Sequence, residues 1–92
     1  IMVDGSDRVA SAIRHHHEFF NGNGYPDQIH GEHIPEFSRI ISIADSFDAM
    51  TDVRPYHQTR NHIQVMDIMH GEHGKFDPWM LAKFETIISR TA

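Results

Sequence analysis

An all-α fold is predicted for this chain by three observations. Apolar residues recur at the three- and four-residue spacing of a helix face in four separate stretches. The segments between those stretches are punctuated by Gly and Pro, the residues that end helices and build loops. No stretch alternates apolar and polar residues in the way of a half-buried strand.

The first helix is expected from Ser6 or Asp7 to His17, on the spacing of Val9, Ala10, Ala12 and Ile13, with Asp4 or Ser6 as its cap. A long Gly-rich loop follows from Asn21 to Pro35; loops of that length in a compact domain are usually functional or disordered. Pro35 and Glu36 suit the start of a second helix, since proline tolerates the first turn and a carboxylate complements the helix dipole. Ile40, Ile43, Ala44, Phe47 and Met50 or Thr51 mark its apolar face to an end near Asp52, and Pro55 blocks simple continuation. Asn61 is the expected cap of a third helix through Ile63, Val65, Met66, Ile68 and Met69, closed by Gly71 and Gly74. Pro78 opens a fourth, with Trp79, Leu81, Ala82, Phe84, Ile87 and Ile88 as its apolar positions.

Composition narrows the function classes. The 92 residues make one small domain at most, and a hydrophobic share of 39% is low for a self-sufficient core. There is no cysteine, so neither disulfides nor thiolate metal sites are available. No apolar run approaches the roughly 18–20 residues of a membrane span, and no secretory pattern opens the chain. The net charge of -5 argues against a nucleic-acid polymer as partner. Nine histidines make that charge sensitive to pH between about 5.5 and 7.5.

The chemistry concentrates in HHEFFNGNGYP, from His16 to Pro26. Two adjacent imidazoles and the Glu18 carboxylate stand directly before a loop built on Gly22, Gly24, Tyr25 and Pro26. Imidazole is the commonest protein ligand for transition metals, and glycine lets backbone approach a ligand closely. Adjacent residues on a helix point about 100° apart, so the three histidines 15–17 cannot all face one metal. Asp45 and Asp48, three apart, share a helix face away from the Ile40/Ile43/Phe47 stripe; such a pair is often merely solvated, and a cationic centre would offset its repulsion.

Four stretches in order, HHEFFNGNGYP, GEHIP (Gly31 to Pro35), RIISIADSFDAMTDVRPY (Arg39 to Tyr56) and GKFDP (Gly74 to Pro78), resemble the HD-GYP family of metal-dependent phosphodiesterases, within the HD superfamily of phosphohydrolases. The resemblance runs from about Val9 to Ile88. It implies a helical HD-superfamily domain and hydrolysis of cyclic di-GMP to linear pGpG or GMP. It also implies two or three divalent metal ions of iron, manganese or zinc type. Carried over residue by residue, His16, His17 and Asp45 are the implied metal ligands. Asp45 and Glu18 are the implied catalytic pair, Glu18 orienting or neutralising the centre. Tyr25, Gly24, Pro26, Arg54 and Asp48 are the implied substrate contacts, with Arg54 toward the phosphate. His15 is expected to be a solvated neighbour.

Three positions depart from the family pattern. Asn21 stands where Asp is usual, Phe20 near a usual Trp, and His57 where a basic residue commonly follows RPY, which implies a weaker hold on phosphate. The His-Asp pair that names the superfamily occurs nowhere in residues 1–92. The expectation is therefore a single partial domain over 1–92, corresponding to the C-terminal half of an HD-GYP domain. Its metal ligands would be completed by residues outside this chain, and it would not be competent alone. The other expectations are a cyclic dinucleotide as substrate, a diguanylate cyclase-type domain docking on the GYP loop as the alternative role, self-association through exposed apolar faces, and a cytoplasmic location.

Overall fold

The computed structural model describes residues 5–52 and 60–91. Among them the chain forms four α-helices and no strand, as the periodicity requires. These are α1 (Gly5–Arg14), α2 (Glu36–Thr51), α3 (His62–Gly71) and α4 (Pro78–Thr91), with one turn of 3-10 helix at Gly31–His33 inside the long loop. Arg54 and His57 lie outside the described residues.

The α2 helix is the central element and packs against each of the other three. Its Ile43 shares the main core with Val65, Met66 and Met69 of α3, Phe76 of the α3–α4 turn and Leu81 of α4. Phe47, Met50, Met80 and Phe84 close that core at its edge. Phe47 and Phe84 sit edge to face at 5.1 Å, an arrangement favoured by the ring quadrupoles. Each fully buried aliphatic side chain here contributes about 1.5–3 kcal/mol relative to exposure.

The helix starts follow from short-range chemistry. Asn61 caps α3 by accepting from Gln64 N, while the Gln64 side chain accepts from Asn61 N, a reciprocal capping box. Asp77 caps α4: its Oδ1 accepts from the backbone N–H groups of Trp79 and Met80. The other carboxylate oxygen, Oδ2, accepts from Arg39 Nη1 at 2.8 Å, and Arg39 Nε donates to the Ile34 carbonyl. One largely buried ion pair thus ties α2, the end of the long loop and the start of α4 together.

Two expectations are corrected. The first helix stops at Arg14 instead of reaching His17. His15 N still bonds Ser11 O four residues back, but His16 N bonds Ile13 O and Glu18 N bonds His15 O, three back. The ladder tightens and ends there, so the histidines sit on a turn and not on a helix face. The apolar stripes are also less buried than their spacing suggests. Val9 and Ile13 of α1, Ile40 of α2, Ile63 of α3, and Trp79 and Ile87 of α4 are exposed, as is Ala44. Helical periodicity marks apolar faces; it does not say which of them this stretch of chain covers. Asp45 and Asp48 are both exposed on α2, as their position off the core stripe requires.

Candidate metal and phosphodiester site

The HHEFFNGNGYP stretch leaves α1 and folds back on itself through named contacts. Tyr25 N donates to His17 O, and Gly22 N donates to Phe19 O. Phe20 N and Asn21 N donate to Lys75 O and Gly74 O, which fastens the loop to the α3–α4 turn. Gly31 N donates to Phe20 O and closes the loop's far side. Ser38, fully buried on α2, donates its hydroxyl to Ala12 O at 2.8 Å and fixes α1 against α2 just ahead of the histidines. The loop is long, yet both of its limbs are fastened.

Two glycines matter sterically. A Cβ at Gly24 would meet Phe19 N, His17 O and Glu18 C, all within the 3.0 Å that real Cβ atoms do not enter. These are backbone atoms of the histidine turn, so they cannot swing aside. Gly74, at φ +82°, lies in the left-handed region and packs against the Asn21 side chain. Replacing Gly24 by Ala is expected to pry the Tyr25 limb off the histidine turn. The cost should be about 1–3 kcal/mol or more, the range for overpacking. Amide hydrogen exchange at Tyr25, whose N–H bonds His17 O, should rise; unchanged protection there would contradict the close-packing account.

The implied ligands can now be placed. The Nδ1 of His16 bonds the Ile13 carbonyl. A carbonyl only accepts, so Nδ1 carries the proton and Nε2 is left as the ligand atom, a common way of fixing a metal-binding tautomer. His17 lies beside it, with ring centroids 3.9 Å apart, and stacks on Tyr25 at 4.9 Å. Tyr25 is 59% exposed and Pro26 is exposed with it, so the conspicuous side chains of the GYP turn are presented to solvent. His16, His17 and Asp45 do not gather into a single three-ligand cluster, and Asp48 joins no such cluster either.

The group that does converge among the described residues is His15, Glu18 and Asp27, with one ligand atom of each within 4.8 Å of the others. The expectation of a solvated His15 is corrected. Its Nδ1 donates to Ser11 O at 2.9 Å and its Nε2 meets Asp27 Oδ2 at 2.8 Å, with the side chain 15% exposed. Glu18 is buried; its Oε2 accepts from Asp27 N at 2.8 Å, while Oε1 is buried without a partner. Sequence spacing gives no sign of this group. Asp27 lies nine residues from Glu18 across the GYP turn and reaches it only because the turn folds back.

Arg14 grips Asp27 with Nε and Nη2 at 3.1 and 3.0 Å. The Arg14 bonds first, and the one from His15 second, hold the Asp27 carboxyl below its usual value of 3.8, and the same pairing raises the Arg14 guanidinium above its ordinary value. A depressed carboxylate pKa stabilises the fold above the unfolded value and loses that contribution as pH falls through the folded value. Both groups are exposed, so the contribution is screened and small. The expected result is a carboxyl carbon resonance of Asp27 that titrates below pH 3.8 and moves back up in Arg14→Gln; a normal midpoint in the unaltered protein would contradict the pairing.

A family profile described as HD domain matches residues 2–80. The chain is 41% identical over 68 residues to the cyclic di-GMP phosphodiesterase response regulator RpfG of Xanthomonas campestris, covering 73% of this chain and 18% of that protein. It is 44% identical over 71 residues to 3'3'-cGAMP-specific phosphodiesterase 1 of Vibrio cholerae, covering 77% of this chain and 16% of that protein. A cyclic di-GMP phosphodiesterase of Thermotoga maritima is 49% identical over 41 residues, 45% of this chain and 11% of its own length. The chain therefore spans less than a fifth of the length of these relatives. With the profile covering most of its residues and the HHEFFNGNGYP turn folded as described, the chain belongs to the HD domain family, in its HD-GYP branch.

Proposed function

We propose that this chain forms part of the active centre of an HD-GYP phosphodiesterase that hydrolyses a cyclic dinucleotide, cyclic di-GMP, to linear pGpG or GMP. In this reading it is not competent without the rest of its domain. The observation that carries the proposal is His16, its Nδ1 proton committed to Ile13 O and its Nε2 free to ligate, beside His17 stacked on Tyr25. Divalent ions of iron, manganese or zinc type, held by His16, His17 and Asp45 together with ligands from outside this chain, would supply Lewis acidity and hydroxide near neutral pH.

The chain's own residues do the rest. The Ile13 carbonyl sets the tautomer of His16. Glu18, buried under the turn, holds the Asp27 amide and so fixes the limb that follows Pro26. Gly24 lets that limb lie against the histidine turn. Tyr25, held on one face by His17, offers its ring to a base or its hydroxyl to a phosphate oxygen. Asp48 stands on the substrate side, and Arg54 would balance charge developing on the phosphoryl oxygens.

The experiment is a hydrolysis assay on the protein that carries this chain, with cyclic di-GMP, 3'3'-cGAMP and a simple diaryl phosphodiester as substrates. Turnover of a cyclic dinucleotide with linear products supports the reading; turnover of the simple diester alone refutes it. A second reading rests on the exposure of Tyr25 and Pro26: the GYP turn docks a diguanylate cyclase-type domain without catalysis. Substituting both residues should then abolish docking and leave metal content intact, and binding that survives would end that reading. In this reading the enzyme works in the cytoplasm; among the described residues no helix is long and apolar enough to cross a membrane. The exposed apolar faces of α1, α2 and α4 favour self-association when nothing else covers them.

A further inference from the structure

We propose that His15, Glu18 and Asp27 form a separate binding site for one divalent transition-metal ion, zinc or a similar borderline cation, built wholly within this chain. None of its three residues is among the metal ligands assigned above, and Glu18 alone is shared with the proposed function. Three features support it.

The donor set is the first. One imidazole and two carboxylates, each offering an atom within 4.8 Å of the others, match the nitrogen and oxygen donors that zinc accepts, with a fourth position left for water. The second is how the imidazole is held. His15 Nδ1 donates to the Ser11 carbonyl, which orients the ring, and Nε2 points at Asp27 Oδ2, 2.8 Å away. A cation at Nε2 replaces the one proton now shared with Asp27, while the Ser11 bond stays as the supporting contact that ligating histidines usually have.

The third feature is independent of the cluster's composition. Glu18 is 3% exposed, and its Oε1 is buried with no hydrogen-bond partner, although Oε2 is satisfied by Asp27 N. A buried carboxylate oxygen without a partner is costly and calls for an explanation. A cation in the cluster supplies the missing partner. Arg14 is the competing charge, bonded to both oxygens of Asp27. Its side chain is 59% exposed, so it can turn into solvent, and an exposed pair of this kind holds only weakly.

The test is zinc stoichiometry by native mass spectrometry on chelator-stripped protein reloaded with zinc. Asp27→Asn and His15→Gln are each expected to bind one zinc fewer than the unaltered protein. His16→Gln should keep this zinc, so that a further loss in the double variant His15→Gln/His16→Gln adds to the first. Glu18→Gln, an isostere at the buried position, provides a second route to the same loss, with helix content by circular dichroism confirming that each variant is folded. Unchanged stoichiometry in folded Asp27→Asn and His15→Gln would overturn the site. A loss confined to His16→Gln would overturn it while leaving the phosphodiesterase reading intact.

Discussion

His16→Gln is expected to lower cyclic dinucleotide hydrolysis by on the order of 100-fold or more, because removing even a partner behind a ligating histidine typically costs 10–100-fold in metal affinity or activity. Glutamine keeps much of the length and polarity of histidine but offers no imidazole nitrogen. The turn that carries the residue should survive. It is held by His15 N to Ser11 O, by Glu18 N to His15 O and by Tyr25 N to His17 O, none of which uses the His16 side chain. The loss should therefore appear in activity and metal content, with thermal stability nearly unchanged. Activity within a factor of three of the unaltered protein would remove His16 from the centre. A matching fall in stability would mean that the residue is structural.

Arg39→Met is expected to cost about 3 kcal/mol, the lower end of the 3–5 kcal/mol seen when one partner of a buried ion pair is removed. The side chains of Arg39 and Asp77 are 14% and 8% exposed, so the carboxylate left behind has little access to water. Asp77 also caps α4, and Arg39 also bonds Ile34 O, so one substitution loosens three elements. For a domain of this size, each kcal/mol shifts the melting temperature by about 4–8 °C, so a fall on the order of 12–24 °C is expected. Adding Asp77→Asn should restore part of the loss, since asparagine keeps the cap without leaving a charge unpaired. A fall worth less than about 1 kcal/mol would show that the pair is effectively solvated.

The sequence made some of these features legible and hid others, for physical reasons. The α3 start was readable at Asn61 because a cap and its box are local, decided within four residues. The Pro78 start of α4 was equally local. Asp77 carries the clearest missed signal: an Asp directly before a helix-opening Pro is a cap by the same rule, and GKFDP contains it. Its bond to Arg39, 38 residues away, could not be read, because only tertiary packing brings the two together.

The same distinction holds at the site. His16 and His17 could be singled out from an unusual run of residue types. The end of α1 could not be placed, because periodicity does not report where a ladder shifts from four-residue to three-residue bonds. The burial of His15 is hidden for a different reason. His15 keeps the helical bond to Ser11 O, and its partner Asp27 reaches it only because the GYP limb folds back. The exposure of Ile40 and Trp79 was likewise hidden, since an apolar stripe states a preference and not a partner.

The most direct test of the central claim is metal content by elemental analysis of the untagged protein that carries this chain, purified without chelator, beside its His16→Gln/His17→Gln and Asp45→Asn variants. The account predicts divalent metal in the unaltered protein and at least one ion fewer in each variant, with hydrolysis of the cyclic dinucleotide falling in step. Metal content that is the same in all three would contradict it, and would leave the HHEFFNGNGYP turn as a docking surface alone.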